Sequence, residues 1–434
     1  MEDIKKEKSY SFWNGLIIGI VSVTVILTVV FIVVLNRNAS EYKQIIRALN
    51  EGQYNFGFQG AFQTGEDDGE PLANDAFVAK ANMIFDGVVE EFYFDEDIDK
   101  NLMRENMYKA VIAPLNDRYA EYYTAEELNT MMTESEGIYY GIGSYVMMDE
   151  ETGYPILSGV FKDSPASEAG LRDGDIIYEV NGENYYGCTL TEWVNLIKGP
   201  EYTTVDLTIY RKGEPDYLHF TVERRQVESP TVEYEMLDNN IGYLQITEFD
   251  DVTTSQFMNA YTDLCDNGMV AMVLDLRSNG GGNLDTVLAI SEELLPEGII
   301  TYTEDRNGYR EEYRCKGEHE IQIPVAVLTN EYTASASELL TGALKAYDKA
   351  VTIGTNTFGK GIVQTIYPLA DGSGVKITTS RYYTPDGNCI HEVGIAPDFE
   401  IEFDGEAYYA EESVDNQLEY AKNYLMQVIY GVEE

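Results

Sequence analysis

The first regular pattern is an uncharged run from Phe12 to Leu35, opening Phe-Trp-Asn and then dominated by Ile, Val and Leu. About 20 such residues cross a bilayer, so the run predicts a single N-terminal transmembrane helix. A cleaved signal peptide would have a shorter apolar core and a small-residue cleavage site. Asn38-Ala39-Ser40 is a poor match to such a site, so the anchor is expected to stay. Residues 38–76 are polar, include Gly65-Glu66-Asp67-Asp68-Gly69-Glu70-Pro71, and predict a stalk with a short helix near Tyr42–Leu49. From 77 to 133 apolar positions return at helical spacing. Phe77, Ala81, Ile84, Phe85 and Val88 fall near one face, and a second helix is expected over Leu102–Ile112.

Between 134 and 227 the period shortens towards that of strands. Ser164-Pro165-Ala166-Ser167-Glu168-Ala169-Gly170 reads as a short helix closed by glycine, followed by a turn into a strand at Asp175-Ile176-Ile177. Asn181-Gly182 signals a hairpin, Thr189–Ile197 a helix, and Val205–Arg211 a strand. Beyond 240, strands and helices alternate. Ala271–Arg277 runs into Ser278-Asn279-Gly280-Gly281-Gly282 and a helix over Leu284–Leu295. Val325–Leu328 runs into Ser335-Ala336-Ser337-Glu338, and Val351–Gly354 into Thr357-Phe358-Gly359-Lys360-Gly361. Such alternation predicts an α/β core with reactive groups at the carboxyl ends of its strands. The expected chain is multidomain α+β: tail and anchor 1–37, linker 38–76, helical domain 77–133, β-rich domain 134–227, α/β core 228–404, and an acidic segment with a final helix 405–434.

Composition narrows the partners. With 434 residues, 44% hydrophobic and 24% charged, the chain is globular and long enough for two or three domains. Its net charge of −47 repels a phosphate backbone and argues against nucleic acid. The simpler meaning of that charge is a well-solvated surface. Cys188, Cys265, Cys315 and Cys389 are scattered without a CxxC pair, so neither spacing nor count indicates a metal site. Cys315 and Cys389 could pair outside the cell, but nothing in the sequence joins them, and free buried thiols fit equally well. Lys5, Lys6 and Lys8 precede the apolar run while Arg37, Lys43 and Arg47 follow it, which leaves membrane orientation undecided.

The candidate chemistry lies in Ser335 and Lys360. Ser335-Ala336-Ser337-Glu338 fits a capping box, and most serines at helix starts are caps. The same position suits a nucleophile, because free N–H groups and the helix dipole stabilise a neighbouring oxyanion. Ala336 and Gly281 are the expected oxyanion donors. A lysine can serve as base when burial leaves it neutral, and Gln364 falls on the same face as Lys360, where its amide could hold the amine. Gly354-Thr355-Asn356-Thr357-Phe358-Gly359-Lys360 also matches the start of a phosphate loop, but Gly361 stands where Ser or Thr is needed and a strand pattern follows. His219, His319 and His391 have no evident serine partner, and His391 reads as a strand edge leading to a turn.

Residues 134–227 resemble a circularly permuted PDZ domain of bacterial proteases, with Tyr140-Gly141-Ile142-Gly143 as the loop that would receive a peptide carboxylate. Four features occur in order: Leu115-Asn116-Asp117-Arg118-Tyr119, the PDZ landmark, Asp275–Gly282, and the Ser335/Lys360/Gln364 set. Together they resemble the carboxyl-terminal processing peptidases, also called tail-specific proteases, over residues 77–425. The resemblance implies a Ser335 nucleophile, a Lys360 base, a supporting Gln364, and oxyanion donors at Ala336 and Gly281. It implies peptide binding at Gly141, Ile142 and Gly143, no metal or organic cofactor, polypeptide substrates with exposed C-terminal tails, and an extracytoplasmic protease domain on a single-pass membrane anchor. The chain departs from the family at Arg118 and at Gly280, both commonly proline, and at His391-Glu392-Val393. The rival reading is a catalytically inactive, membrane-anchored PDZ scaffold. The terminal helices offer a seam for a homodimer, which periodicity does not separate from an intrachain contact.

Overall fold

The computed structural model describes residues 75–410 and 413–431. The expected membrane span and the stalk lie outside them, and among the described residues no helix is long and apolar enough to cross a membrane. The chain divides into two compact units, one reaching to Val111 and including Tyr367–Val375, the other comprising Ile112–Ile366 and Lys376–Glu434. The first carries helix α1 (Asp75–Glu91) and most of α2 (Lys100–Ile112). On α1, Ala81 and Phe85 are half-buried whereas Phe77, Ile84 and Val88 remain exposed.

The second unit opens with strand β1 (Glu121–Tyr123) and helix α3 (Ala125–Glu136). A complete Thr124/Glu127 capping box starts α3, and Gly137 at φ 69° ends it in the left-handed region that glycine tolerates. Strand β2 (Ile138–Gly141) pairs with β8 (Arg225–Glu228). Between them lies a five-stranded antiparallel sheet of β3 (Ser144–Met148), β4 (Pro155–Val160), β5 (Ile176–Val180), β6 (Thr204–Tyr210) and β7 (Leu218–Glu223). Helices α4 (Pro165–Ala169) and α5 (Leu190–Ile197) belong to the same body, whose core buries Trp193, Leu157, Ile177, Leu207 and Ile209. The local signals operate as read. Ser164 and Gly170 cap α4, and Asn181 and Gly182, at φ 54° and 80°, turn the chain so that Val180 and Glu183 exchange backbone hydrogen bonds.

The α/β core is a six-stranded sheet in the order β18-β15-β14-β11-β10-β9. Its strands are β9 (Val232–Met236), β10 (Ile241–Ile246), β11 (Ala271–Asp275), β14 (Val325–Thr329), β15 (Ala350–Gly354) and β18 (Phe399–Glu400). Only β9 runs antiparallel to its neighbour. Every residue of β11 and β14 is buried, as expected of parallel strands covered on both faces. Alternation divides them. Met272, Leu274, Val325 and Val327 pack with helices α6 (Thr253–Asp266), α7 (Leu284–Glu292) and α8 (Ala336–Ala346). Ala271, Val273, Ala326 and Leu328 pack with Ala421 and Leu425 of α10 (Asn416–Tyr430), which follows the short α9 (Gly405–Tyr408). A second sheet joins β1, β17 (Gly374–Tyr383), β12 (Gly298–Asp305) and β13 (Arg310–Cys315), with β16 (Ile362–Pro368) on β17. All four cysteines are free thiols. In the sheet order, β11, β14 and β15 are adjacent, so the turns leaving their carboxyl ends are neighbours. Gly281, Ser335 and Lys360 follow those three strands in turn.

Candidate active site

Ser335 has φ 56° and ψ −116°. An ordinary helix cap takes the extended region. A non-glycine residue at positive φ is strained, and such strain persists only where the surroundings over-determine it. Here they do. Ala334 N–H donates to Asn279 O at 2.9 Å, and Ser335 O accepts from Leu339 N–H at 2.9 Å and from the Tyr382 hydroxyl at 2.9 Å. Ser335 N–H donates to Glu338 Oε2 at 2.9 Å, which is the Glu338 half of the expected capping box. Ala336 through Leu344 are buried, so the helix that begins at the serine is anchored in the core.

The turn after β11 lies directly against this serine. A Cβ added to Gly281 would sit 2.7 Å from Ser335 Cβ and 2.9 Å from Ala336 N, so only a glycine leaves the space in front of the Ala336 N–H open. Gly281 has φ 104°, a second reason for glycine. Its N–H, expected from sequence as the second oxyanion donor, donates instead to Asn279 Oδ1 at 2.8 Å. Ala336 N–H, at the first position of α8, has no partner among the described residues. Asn279 is wholly buried and unites the two turns. Its Nδ2 donates to Ile246 O at 2.8 Å, and its carbonyl accepts from Ser337 Oγ at 3.1 Å as well as from Ala334. Ser278 and Asn330 add reciprocal bonds of 2.8 and 3.1 Å.

Lys360 arrives on the segment after β15, and Glu338 holds that segment in place. The Glu338 carboxylate is wholly buried and accepts from Thr357 Oγ1 at 2.6 Å, Gly359 N–H at 2.7 Å and Lys360 N–H at 2.8 Å, besides Ser335 N–H. One carboxylate therefore binds the backbones of both the candidate nucleophile and the candidate base. The Lys360 ammonium lies 4.7 Å from the centre of the Tyr119 ring, and the Arg118 guanidinium lies 4.7 Å from the same centre and 5.1 Å from that of Phe358. Burial lowers the Lys360 pKa, the positive charges of Lys376 and Arg118 lower it further, and Glu338 partly opposes them. Among the described residues no hydrogen bond joins Lys360 Nζ to Ser335 Oγ or to Gln364. The Gln364 amide instead donates to Thr378 Oγ1 at 3.1 Å, across to β17. A strand, β16, follows Lys360 where a phosphate-binding loop needs a helix.

None of the histidines is hydrogen-bonded to Ser335 among the described residues, and the buried His391 Nδ1 has no hydrogen-bond partner there. His219 Nδ1 lies 3.3 Å from Thr208 Oγ1, and His319 Nδ1 lies 2.8 Å from Glu293. His391 occupies a turn rather than a strand edge, backed against Gly361, where a Cβ would meet His391 N at 2.5 Å.

The expected peptide-binding loop is split. Gly141 and Ile142 line a groove of about 590 Å³ together with Val194 and Ile197 of α5, and the groove continues to Gly282 and Asn283. Gly143 turns away at φ 81°, with Ser164 Cβ 2.4 Å from where its own Cβ would lie.

Sequence reasoning missed several groups. In the sequence Glu338 reads only as a cap; the fold makes it the ligand of the lysine segment as well. Asn279 and Tyr382 gave no local signal. Arg277 chelates Asp275 at 2.6 Å and Asp415 at 2.7 Å, and Asp275 also accepts from the Tyr243 hydroxyl at 2.8 Å. This fastens the start of α10 to the head of the glycine turn. Burial works against the Arg277 charge, but its two carboxylates outweigh burial and hold its pKa above the ordinary value.

A largely parallel sheet whose adjacent turns carry Ser335, strained at a helix start, and the half-buried Lys360, with an appended PDZ-like sheet, is the arrangement of a serine hydrolase of the peptidase type. Residues 240–401 match the model of peptidase family S41, and residues 156–211 match a PDZ domain. The carboxy-terminal processing protease CtpA of Bacillus subtilis is 34% identical over 324 residues, 74% of this chain and 68% of that protein. A carboxyl-terminal-processing protease of Synechocystis is 32% identical over 306 residues, 69% of this chain and 72% of that one. In fold alone, a Bacteroides fragilis protein assigned to the S41 proteases is similar at a TM-score of 0.51 and 20% identity, over 84% of this chain and all of that one. The chain belongs to peptidase family S41, among the carboxy-terminal processing serine proteases with a PDZ domain.

Proposed function

We propose that this protein is a membrane-anchored endopeptidase that captures the C-terminal tail of a polypeptide in its PDZ groove and cleaves it with Ser335 and Lys360. The observation that carries the reading is Glu338, whose one carboxylate hydrogen-bonds the backbone of both residues. Neutral Lys360 takes the Ser335 hydroxyl proton as Oγ bonds to the scissile carbonyl carbon. The oxyanion forms in the space before the Ala336 N–H that Gly281 keeps open. The lysine ammonium then gives its proton to the leaving amine as the C–N bond breaks, leaving an acyl-serine. Water attacks the acyl carbon and loses its proton to Lys360. Ser335 leaves and recovers that proton. Gln364 supports the lysine through β16 and its bond to Thr378.

The test is incubation of the full-length protein with an unfolded polypeptide bearing an apolar C-terminal tail, beside Ser335→Ala and Lys360→Ala variants. Cleavage by the parent alone is expected; cleavage by Lys360→Ala would refute the assignment of the base. The inactive scaffold draws support from one observation, the commitment of the Gly281 N–H to Asn279. It predicts tail binding without cleavage by any form. The apolar run Phe12–Leu35 would hold the protein in the membrane with residues 38–434 on the extracytoplasmic side. In intact cells, an externally added protease should digest those residues, and protection would contradict this orientation.

A further inference from the structure

The groove that joins the PDZ loop to the glycine turn carries charges that the hydrolysis does not use. At the PDZ end, Lys198 is the one Lys or Arg among the described residues that line it. Lys198 Cγ lies 3.8 Å from where a Gly141 side chain would begin, and its ammonium lies 5.4 Å from the centre of the Tyr139 ring. The other end is acidic, lined by Glu134 from α3 and by Glu248 and Asp250 from the turn after β10. Asp250 is only 7% exposed. Its carboxylate has no hydrogen bond or ion pair among the described residues, and Oδ2 lies 3.1 Å from the Cβ position of Gly137 on the same wall. Glu134 and Glu248 likewise have no ion-pair partner among the described residues.

This acidic end adjoins the site. Phe249 N–H donates to Gly281 O at 2.9 Å and Asn283 N–H to Phe249 O at 2.6 Å, which places Asp250 one residue from the backbone bridge that carries the glycine turn. Burial, then Glu248 and Asp251, push the Asp250 pKa up to about 7. Burial, then Glu134, raise that of Glu248. A carboxylate so little exposed, with no protein donor and only the groove's solvent to face, is poorly stabilised as an anion, and an arriving cation would offset that cost. The carboxylates do not converge into a group able to hold a metal ion. Tyr145, Phe161, Val194 and Ile197 add apolar walls to the same groove, of the kind that the methylene stem of a lysine or arginine covers.

We propose that the Glu134/Glu248/Asp250 end of the groove is a subsite for a basic side chain of the substrate, lying between the scissile bond and the C-terminal carboxylate held near Lys198. The inference rests on the reading above, in which the tail enters through this groove, and it names the tail chemistry preferred: apolar with one lysine or arginine.

The test uses the full-length Ser335→Ala protein and fluorescent peptides with one apolar tail sequence, in which Lys, Gln or Glu is moved position by position. Anisotropy gives binding, and cleavage of reporters with the same tails by the active enzyme gives kcat/KM. One position should favour Lys over Glu by roughly tenfold or more, equivalent to about 1.4 kcal/mol. Asp250→Asn should remove most of that preference, and the exposed Glu134→Gln/Glu248→Gln pair provides the same test should Asp250→Asn fail to fold. Tails that bind and are cleaved with no effect of charge at any position would overturn the subsite alone, as would a preference that survives the substitutions. If no tail is bound or cleaved, tail capture fails and the subsite with it.

Discussion

Glu338 Oε2 accepts the backbone N–H of Lys360 at 2.8 Å, so the first turn of the serine's helix holds the segment that delivers the lysine. Since the same carboxylate also receives Ser335 N–H, Gly359 N–H and the Thr357 hydroxyl, four donors depend on one side chain. Glu338→Ala leaves three N–H groups and a hydroxyl without a partner, at about 1–3 kcal/mol for each that stays buried. The variant should show a large fall in its thermal midpoint. Glu338→Gln, nearly isosteric, should fold yet lose about a hundredfold in kcat through misplacement of the lysine. Wild-type kcat in Glu338→Gln would show that the carboxylate is merely structural.

The activity should rise with pH. Burial and two neighbouring cations lower the Lys360 pKa, and the neutral amine is the active form. Protonation as pH falls through this lowered pKa therefore removes the base. Arg118→Gln or Lys376→Gln takes away a like charge, which favours the protonated amine and raises its pKa. The ascending limb of log kcat/KM against pH should move to higher pH in each variant. A limb unmoved, or moved to lower pH, would contradict the role given to these cations.

Gly281→Ala brings a methyl group to 2.7 Å from Ser335 Cβ and 2.9 Å from Ala336 N, at a φ of 104°. The methyl would fill the space in which the oxyanion is expected. A loss of about a hundredfold or more in kcat is expected, together with a loss of stability of about 1–3 kcal/mol from the strained backbone. Full activity in this variant would place the oxyanion elsewhere.

Arg277 is held by Asp275, which is wholly buried, and by Asp415. Arg277→Met leaves the wholly buried Asp275 and the half-buried Asp415 without their cation and should destabilise the protein by about 3–5 kcal/mol. Chemical denaturation of the variant measures this directly. A change below about 1 kcal/mol would mean that the clasp contributes little to fastening α10.

The parts legible in the sequence were those written locally. The Ser164 and Gly170 caps, the Asn181-Gly182 turn and the buried strands Ala271–Asp275 and Val325–Thr329 each follow from residues adjacent in the chain. The candidate nucleophile and base were legible as well, because each sits in its own small-residue turn after an apolar strand. What binds them together was not. Glu338 meets Thr357 and Lys360 through tertiary folding, Tyr119 and Arg118 reach Lys360 from far upstream, and Asn279 captures an N–H assigned from sequence to the oxyanion. The acidic groove draws on two distant segments, so no window of the sequence displays it. On α1, helical periodicity marked an apolar face, but periodicity alone does not say what covers it.

The most direct test of the central claim is the rate at which a fluorophosphonate labels Ser335, read by intact mass and peptide mapping across pH, in the parent and in Lys360→Ala. A single adduct on Ser335, forming faster as pH rises in the parent and almost not at all in the variant, is the predicted result. Labelling of Lys360→Ala at the parental rate, or an adduct on another serine, would contradict the pairing of Ser335 with Lys360.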